Sequence, residues 1–170
     1  MPELIAPTTR LHRSWVESWD EWGRDVHQDG TGWTMGRDLD SAAGFAAWVR
    51  RLNDRESPHG GPILCTYRWI AEGDRYLGGI ALRHELDDWL LNVGGHIGYS
   101  VRPSERRRGL ASWALRNTMD TARRLGLDRV LVTCKPANEA SRRTIERAGG
   151  VFEDIRGTGE DEVRRYWIAL

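Results

Sequence analysis

The residues with the clearest potential for chemistry form a short run of three arginines, a glycine, a leucine and an alanine, from Arg106 to Ala111. The run follows a predicted strand and precedes a predicted helix, whose first-turn N–H groups lack intrahelical acceptors and attract anions. Gly109 and Ala111 permit a close backbone approach, and the guanidinium groups of Arg106, Arg107 and Arg108 can add charge-assisted bonds to phosphate oxygens. The pattern therefore predicts a phosphate-binding turn, although a solvated basic turn has the same composition.

A second group of side chains could move protons. Glu85 follows a predicted strand, and His84 and His96 are histidines, whose intrinsic pKa lies near neutrality. Glu85 is the first candidate for a general base, with His96 and His84 as alternatives. A solvated hairpin face and a hydrogen-bonded structural histidine are the competing interpretations. Cys134 ends a predicted buried strand, where an inert thiol is favoured over acyl-cysteine chemistry.

Composition restricts the function classes. The chain has 170 residues, a formal net charge of zero and two cysteines, which suit one domain with free thiols and no metal site. A neutral chain gives no global field for binding nucleic acid, and no apolar run is long enough to span a membrane. Residues 1–10 do not follow the plan of a signal peptide, so we expect a cytoplasmic protein.

Hydrophobic periodicity predicts the elements that must position these residues. The predicted helices cover residues 11–26, 41–52, 109–125 and 138–148. The predicted strands cover residues 4–6, 63–71, 75–83, 96–101, 129–134, 151–156 and 164–170. Residues 58–62 form a glycine-rich loop, and residues 84–95 remain ambiguous. This order predicts an α/β fold with a mixed sheet of about seven strands, about four helices and a right-handed crossover between the strands at 96–101 and 129–134.

Two stretches resemble the GNAT N-acetyltransferases. Residues 101–111 are similar to the acyl-CoA loop of that family, in which Arg or Gln is followed three residues later by Gly and five residues later by Gly or Ala. Asn138-Glu139-Ala140-Ser141, followed by residues 146–150, resembles the family's next motif, and residues 83–111 are similar to a bacterial subgroup of predicted acetyltransferases. The resemblance covers nearly the whole chain and implies one GNAT-like domain over residues 1–170, with splayed strands at the cofactor site.

The same resemblance implies acetyl-CoA as cosubstrate. The pantetheine arm would lie between the splayed strands and pair with their backbone, and the pyrophosphate would bind amides of residues 107–111. An asparagine and a serine would line the thioester end. The implied cofactor-binding residues are Tyr99, Val101, Arg106, Arg107, Arg108, Gly109, Leu110, Ala111, Asn138 and Ser141.

The chain departs from the family pattern in its candidate acid and base. Many members carry a tyrosine that protonates the departing thiolate, and Ile145 occupies that place here. The pattern is closer to the branch that acetylates N-termini of ribosomal proteins, which makes Ser141 the candidate proton donor. The strand glutamate of many members falls at Gly95, which leaves Glu85 and His96 as candidates for the base.

The acetyl acceptor stays open among a small amine, an antibiotic, a protein N-terminus and a lysine side chain. Trp15, Trp19 and Trp22 share one helical face, most of which we expect to pack in the core. Trp33 and Trp89 fall outside this stripe, and with His84 they are candidates for binding the acceptor. The predicted function is transfer of acetyl to a primary amine by direct attack in a ternary complex. The alternatives are a catalytically silent acyl-CoA-binding module and a phosphate-binding regulator. The resemblance is also compatible with a homodimer.

Overall fold

The computed structural model describes residues 1–34, 36–54 and 62–170, so that most of the glycine-rich loop at 58–62 lies outside the described residues. Within them, seven strands form one sheet that is flanked by α-helices. The elements are β1 Glu3–Ile5, α1 His12–Trp22, α2 Ala42–Asn53, β2 Cys65–Glu72, β3 Arg75–Arg83, β4 Ile97–Val101, α3 Leu110–Arg124, β5 Arg129–Cys134, α4 Glu139–Arg147, β6 Val151–Arg156 and β7 Val163–Ala169.

The sheet has the strand order β1-β2-β3-β4-β5-β7-β6. Neighbouring strands are antiparallel except for β4 and β5, which are parallel and are joined by the crossover through α3. The predicted single-domain α/β fold with a mixed seven-stranded sheet is confirmed. The ambiguous segment before β4 contains a π-helical turn, Leu90–Gly94.

Two apolar cores cover the two faces of the sheet. On one face α1 and α2 bury an aromatic cluster that includes Trp15, Trp19 and Trp48, which confirms the expected core role of the first two. On the other face α3 and α4 pack against the inner strands. None of the described helices has the length and apolar character that crossing a bilayer requires.

The first helix ends earlier than its periodicity predicts. It stops at Trp22 because Gly23 adopts φ +88°, a left-handed conformation that breaks the helical path. The following loop then crosses the sheet at Gly30, which has φ +76° and lies directly against Gly98 of β4. A Cβ at Gly30 would overlap the Gly98 carbonyl oxygen, so only glycine allows this approach.

Candidate functional site

The centre of the sheet contains a gap between its two parallel strands. β4 and β5 share a single registered pair, Ile97 with Val132, and one preceding backbone bond from the His96 N–H to the Leu131 carbonyl at 2.7 Å. Beyond this point, as far as residues 1–34, 36–54 and 62–170 show, β4 pairs only with β3, and β5 pairs only with β7. The predicted splayed strands are therefore present.

The backbone of β4 offers hydrogen-bonding groups to this gap. Arg83 N–H donates to the His96 carbonyl and Arg102 N–H donates to the Leu77 carbonyl, both at 2.8 Å. Alternate residues of an antiparallel strand bond to the same neighbour, so the even-numbered residues of β4 face β3. Tyr99 and Val101 consequently direct their N–H and C=O groups into the gap. This is the backbone with which, according to the family resemblance, the pantetheine arm would pair.

The N-terminus of α3 is an open anion site. Gly109 is its N-cap with φ +75°, and no side chain in the described parts of the chain caps the first turn. The amides of Leu110 and Ala111 therefore lack an intrahelical acceptor, and nothing lies within 4 Å of the position that a Cβ at Gly109 would take. This end of α3 lies in the connection that follows β4, where the sequence predicts that the pyrophosphate binds.

The three crowded arginines have different environments. Arg108 forms ion pairs with Glu105 and, at 3.0 Å, with Glu72, and Arg106 places its guanidinium 4.6 Å from the centre of the Trp22 ring. Arg107 is exposed, with its backbone at φ +64°. Glu72 and Glu105 thus engage Arg108, whereas Arg107 makes no ion pair with a described residue and its side chain can reach a phosphate.

A hydrogen bond crosses the gap between β4 and β5 on the side of α4. The Tyr99 hydroxyl and the Ser141 hydroxyl lie 2.8 Å apart, which joins β4 to α4. Ser141 is held in place because the Asn138 side-chain oxygen caps α4 by accepting from the Ser141 N–H at 3.1 Å. Burial raises the pKa of Tyr99 to about 12, so the phenol keeps its proton at neutral pH.

His96 lies at the point where β4 and β5 separate. Its Nδ1 accepts a hydrogen bond from the Leu131 N–H at 2.9 Å, which leaves the proton of the neutral ring on Nε2. Burial, aided by the charge of Arg83, lowers the pKa of His96 to about 4. With one nitrogen used and the other protonated, His96 has no free lone pair, so this geometry suits a residue that positions β4 rather than one that takes a proton.

We expect His96 to make stability depend on acid pH. Between an unfolded pKa of 6.5 and a folded pKa of about 4, the unfolded chain binds a proton that the folded chain excludes. The free energy of unfolding should therefore fall as the pH drops through this window, by up to about 3 kcal/mol from this residue. Urea denaturation at pH 7 and pH 4.5 should show a flatter pH dependence in His96→Gln. An unchanged slope would contradict the assignment.

The remaining predicted residues lie at different depths. Glu85 is exposed in the bend that follows β3, and His84 beside it has its Nε2 2.8 Å from the Thr66 hydroxyl. Trp89 precedes the π-helical turn and is 43% exposed, while Trp33 is only 5% exposed and packs against Trp19 in the core. Trp89 is therefore accessible to an acceptor. Trp33 is instead part of the aromatic core on the face of the sheet that α1 and α2 cover.

The structure also adds charged residues that sequence reasoning missed. His27 and Asp29 form a pair, Nε2 to Oδ1 3.0 Å, in the loop that crosses β4. Against the effect of burial, the hydrogen bond with His27 lowers the pKa of Asp29, and the charges of Arg83 and Lys135, at the ends of β3 and β5, lower it further. No motif marks these residues, and the closely spaced Gly30 and Gly32, both with positive φ, are the local sign of an unusual loop path.

Both cysteines are buried and free. Burial raises the pKa of Cys134, and it raises that of Cys65 to about 11. Thiols with raised pKa values are poor nucleophiles at neutral pH, in agreement with the expected inert role.

The acetyltransferase (GNAT) domain profile matches residues 17–151. Among functionally curated proteins, none matches the sequence significantly. Many solved structures share the fold. An acetyl transferase from Salmonella typhimurium, which modifies the N-terminal serine of ribosomal protein L7/L12, has a TM-score of 0.68 at 17% identity, with 99% of this chain and 95% of that chain covered.

Two further structures were solved with a ligand. RimJ from Mycobacterium smegmatis, in complex with CoA-disulfide, has a TM-score of 0.72 at 17% identity, over 99% of this chain and 81% of that one. The microcin C7 self-immunity acetyltransferase MccE, in complex with acetyl-CoA and AMP, has a TM-score of 0.70 at 11% identity, over 99% and 92%. At these identities the likeness concerns the fold. The profile match extends over most of the sequence, from α1 to the start of β6, and this chain therefore belongs to the GNAT family of acetyltransferases.

Proposed function

We propose that this acetyltransferase uses acetyl-CoA to acetylate a primary amine of a small molecule, peptide or protein, by direct attack in a ternary complex in the cytoplasm. The observation that carries the proposal is the uncapped N-terminus of α3 beside a strand gap that is lined by unpaired backbone groups. A pyrophosphate and an extended amide-containing arm are the two chemical features that this arrangement complements.

Each part of the cosubstrate has a matching partner. The amides of residues 109–111 would bind the pyrophosphate, with Arg107 adding charge, and the backbone of Tyr99 and Val101 would pair with the pantetheine arm. Ser141 lies at the inner end of the gap, where a thioester would be placed. Acetyl-CoA supplies an activated acyl group there, and the chain's own residues must deprotonate the amine and protonate the thiolate.

Glu85 is the proposed general base. Its carboxylate is exposed beyond the end of β3 and makes no hydrogen bond or ion pair to another described residue, so it can accept a proton. Ser141, supported by Tyr99, is the proposed proton donor to the departing thiolate. This division of roles supplies the acid and base that amine acetylation requires.

Glu85→Gln should lower kcat by at least about tenfold and leave the Kd for acetyl-CoA unchanged, because the amide cannot accept the proton. Turnover is measured as free-thiol release and affinity by calorimetry. Asp88→Asn, which removes another exposed carboxylate from the same segment, serves as the matched control. Equal kcat in the wild type and Glu85→Gln would eliminate Glu85 as the base.

The competing functions separate in two measurements. Thermal stabilisation by acetyl-CoA but not by ATP would exclude the phosphate-binding regulator. Release of free thiol with any member of a panel of amines would exclude a silent acyl-CoA-binding module, whereas binding without release across the panel would favour it.

The acceptor and the oligomeric state are the finer parts of the proposal. A protein or peptide amine is supported by the two neighbours named for ribosomal protein L7/L12 and for microcin C7 immunity. A homodimer is supported by the exposed apolar residues Val151, Phe152 and Ile155 on the edge strand β6. Sedimentation equilibrium tests the second point directly.

A further inference from the structure

Arg83 is a buried cation without a buried anion. It ends β3 and is 8% exposed, yet no carboxylate of the described residues lies within ion-pair distance of it. The other two arginines that are buried among the described residues are paired, Arg102 with Glu21 at 2.6 Å and Arg165 with Asp154 at 2.7 Å. Enclosing a charge without a counterion is unfavourable, so Arg83 is a position at which an added anion would be stabilised.

The hydrogen bonds of Arg83 leave one edge of its guanidinium unfilled. Nη1 donates to the carbonyls of Gly94 and Gly95, at 3.1 and 3.2 Å. Nε is enclosed without a partner, and Nη2 makes no hydrogen bond to any residue in the described parts of the chain. Nη2 is therefore the nitrogen that can still donate to a carboxylate, whereas Nε, on the same edge of the planar group, is closed off from solvent.

The guanidinium lies against β4, next to the gap between β4 and β5. A Cβ at Gly98 would lie 3.6 Å from both Nη atoms of Arg83 and 3.2 Å from the Gly30 nitrogen. Gly98 immediately precedes Tyr99, whose hydroxyl holds Ser141 at the inner end of the gap. Arg83 therefore lies beside the gap, on the face of the sheet that α1 and α2 cover, opposite the helix that would bind pyrophosphate.

The charges around Arg83 restrict the kind of anion. Asp29, an exposed carboxylate paired with His27, immediately precedes Gly30, which packs against Gly98 beside the Arg83 guanidinium. The charges of Arg83 and Lys135 both act on Asp29. Asp29 bonds to His27 rather than to Arg83, so Nη2 of Arg83 keeps its capacity to donate to another carboxylate. A dianion would be repelled by Asp29, whereas a molecule that carries one carboxylate and one ammonium group would match both signs.

We propose that the acetyl acceptor is an amine that also carries a carboxylate, and that Arg83 binds this carboxylate. The inference rests on the proposed function, because it concerns the acceptor of the same reaction. Arg83 holds the carboxylate end on the acceptor side of Gly98, and the His27–Asp29 pair faces the ammonium end. The amine nitrogen is thereby turned toward the gap between β4 and β5.

The test compares matched pairs of acceptors. Free-thiol release from acetyl-CoA is followed with the twenty amino acids, 4-aminobutyrate and a set of dipeptides, each beside its own carboxamide. The wild type should prefer at least one carboxylate over its carboxamide by about 100-fold in kcat/KM. The proposal is overturned if every carboxamide has a kcat/KM equal to or higher than that of its carboxylate. It is also overturned if no carboxylate-bearing amine reacts.

A pair of variants assigns the preference to Arg83. In Arg83→Gln the ratio of kcat/KM for the carboxylate to kcat/KM for its carboxamide should fall to within about threefold. The cause should be a raised KM for the carboxylate, whereas the rate with the carboxamide should stay unchanged. Arg116→Gln, which removes an exposed arginine from α3, should keep the wild-type ratio. A loss confined to general stability would lower both rates equally and would contradict the proposal; if Arg83→Gln does not fold, the wild-type ratio still decides it.

The failure of this inference is distinguishable from failure of the proposed function. Acetyl transfer to plain alkyl amines or to carboxamides alone would sustain the acetyltransferase and reject the role of Arg83. Absence of acetyl-CoA binding in calorimetry would reject both.

Discussion

Gly109→Glu is expected to weaken acetyl-CoA binding by at least about 100-fold while the protein remains folded. Gly109 precedes the first turn of α3, and the space in front of its backbone is open. A glutamate there would place a carboxylate before the amides that would bind the pyrophosphate, and would repel it. The positive φ makes a side chain mildly unfavourable, so a cost of about 1–2 kcal/mol in stability should accompany the change.

The far end of the same helix supplies the control. Gly126 follows α3 with φ +82°, and nothing lies within 4 Å of the position that a Cβ there would take. Gly126→Glu therefore introduces the same charge and a similar backbone strain, but away from the gap. Calorimetric titration with acetyl-CoA should give a wild-type Kd for Gly126→Glu and a strongly raised one for Gly109→Glu. Equal affinities in the two variants would reject the assignment of the anion site.

Ser141→Ala is expected to lower kcat by about 100-fold and to change KM for acetyl-CoA little. The hydroxyl lies at the inner end of the gap, where a proton must be delivered to the thiolate as it departs. Tyr99 holds this hydroxyl at 2.8 Å and stays protonated because its pKa is raised to about 12. Tyr99→Phe keeps the ring but removes the partner, and should give a smaller loss of kcat.

The coupling between the two hydroxyls is the sharper measurement. If Tyr99 acts through Ser141, the double variant should be no slower than Ser141→Ala alone, whereas independent roles would multiply. Thr144→Ala, one turn along α4, controls for loss of a hydroxyl from the helix. A kcat for Ser141→Ala within twofold of the wild type would remove Ser141 from the mechanism.

Local patterns predict much of this fold. The bounds of β3, β5 and β6 follow from apolar and β-branched runs between turn residues, and α3 follows from its periodicity and flanking glycines. Such patterns place the end of α1 too late, and they do not predict the π-helical turn. These two features depend on the loop after Gly23 crossing β4, and on the two carbonyls that Arg83 binds, both of which are contacts between distant segments.

The same distinction applies to the site. The anion site at Gly109 is formed by residues that are contiguous in the sequence. It was predictable because a glycine between a strand and a helix permits a phosphate to approach the free amides of the first turn. The Tyr99–Ser141 bond joins residues 42 positions apart, and the partners of Arg108 lie on another hairpin and in the preceding turn. Arg83 is visible in the sequence as one arginine among many, and only the fold shows that it lacks a carboxylate.

The separation of β4 from β5 gives the molecule an interior sheet edge. Sheets usually expose unpaired backbone only at their outer strands, where it invites association. Here the unpaired stretch at Tyr99 and Val101 lies in the middle, flanked by strands that keep other chains out but admit a narrow linear molecule. A cosubstrate in this slot would complete the sheet, and the folded state would gain stability as its concentration rises above Kd. The thermal stability of the protein would then follow the supply of acetyl-CoA in its surroundings.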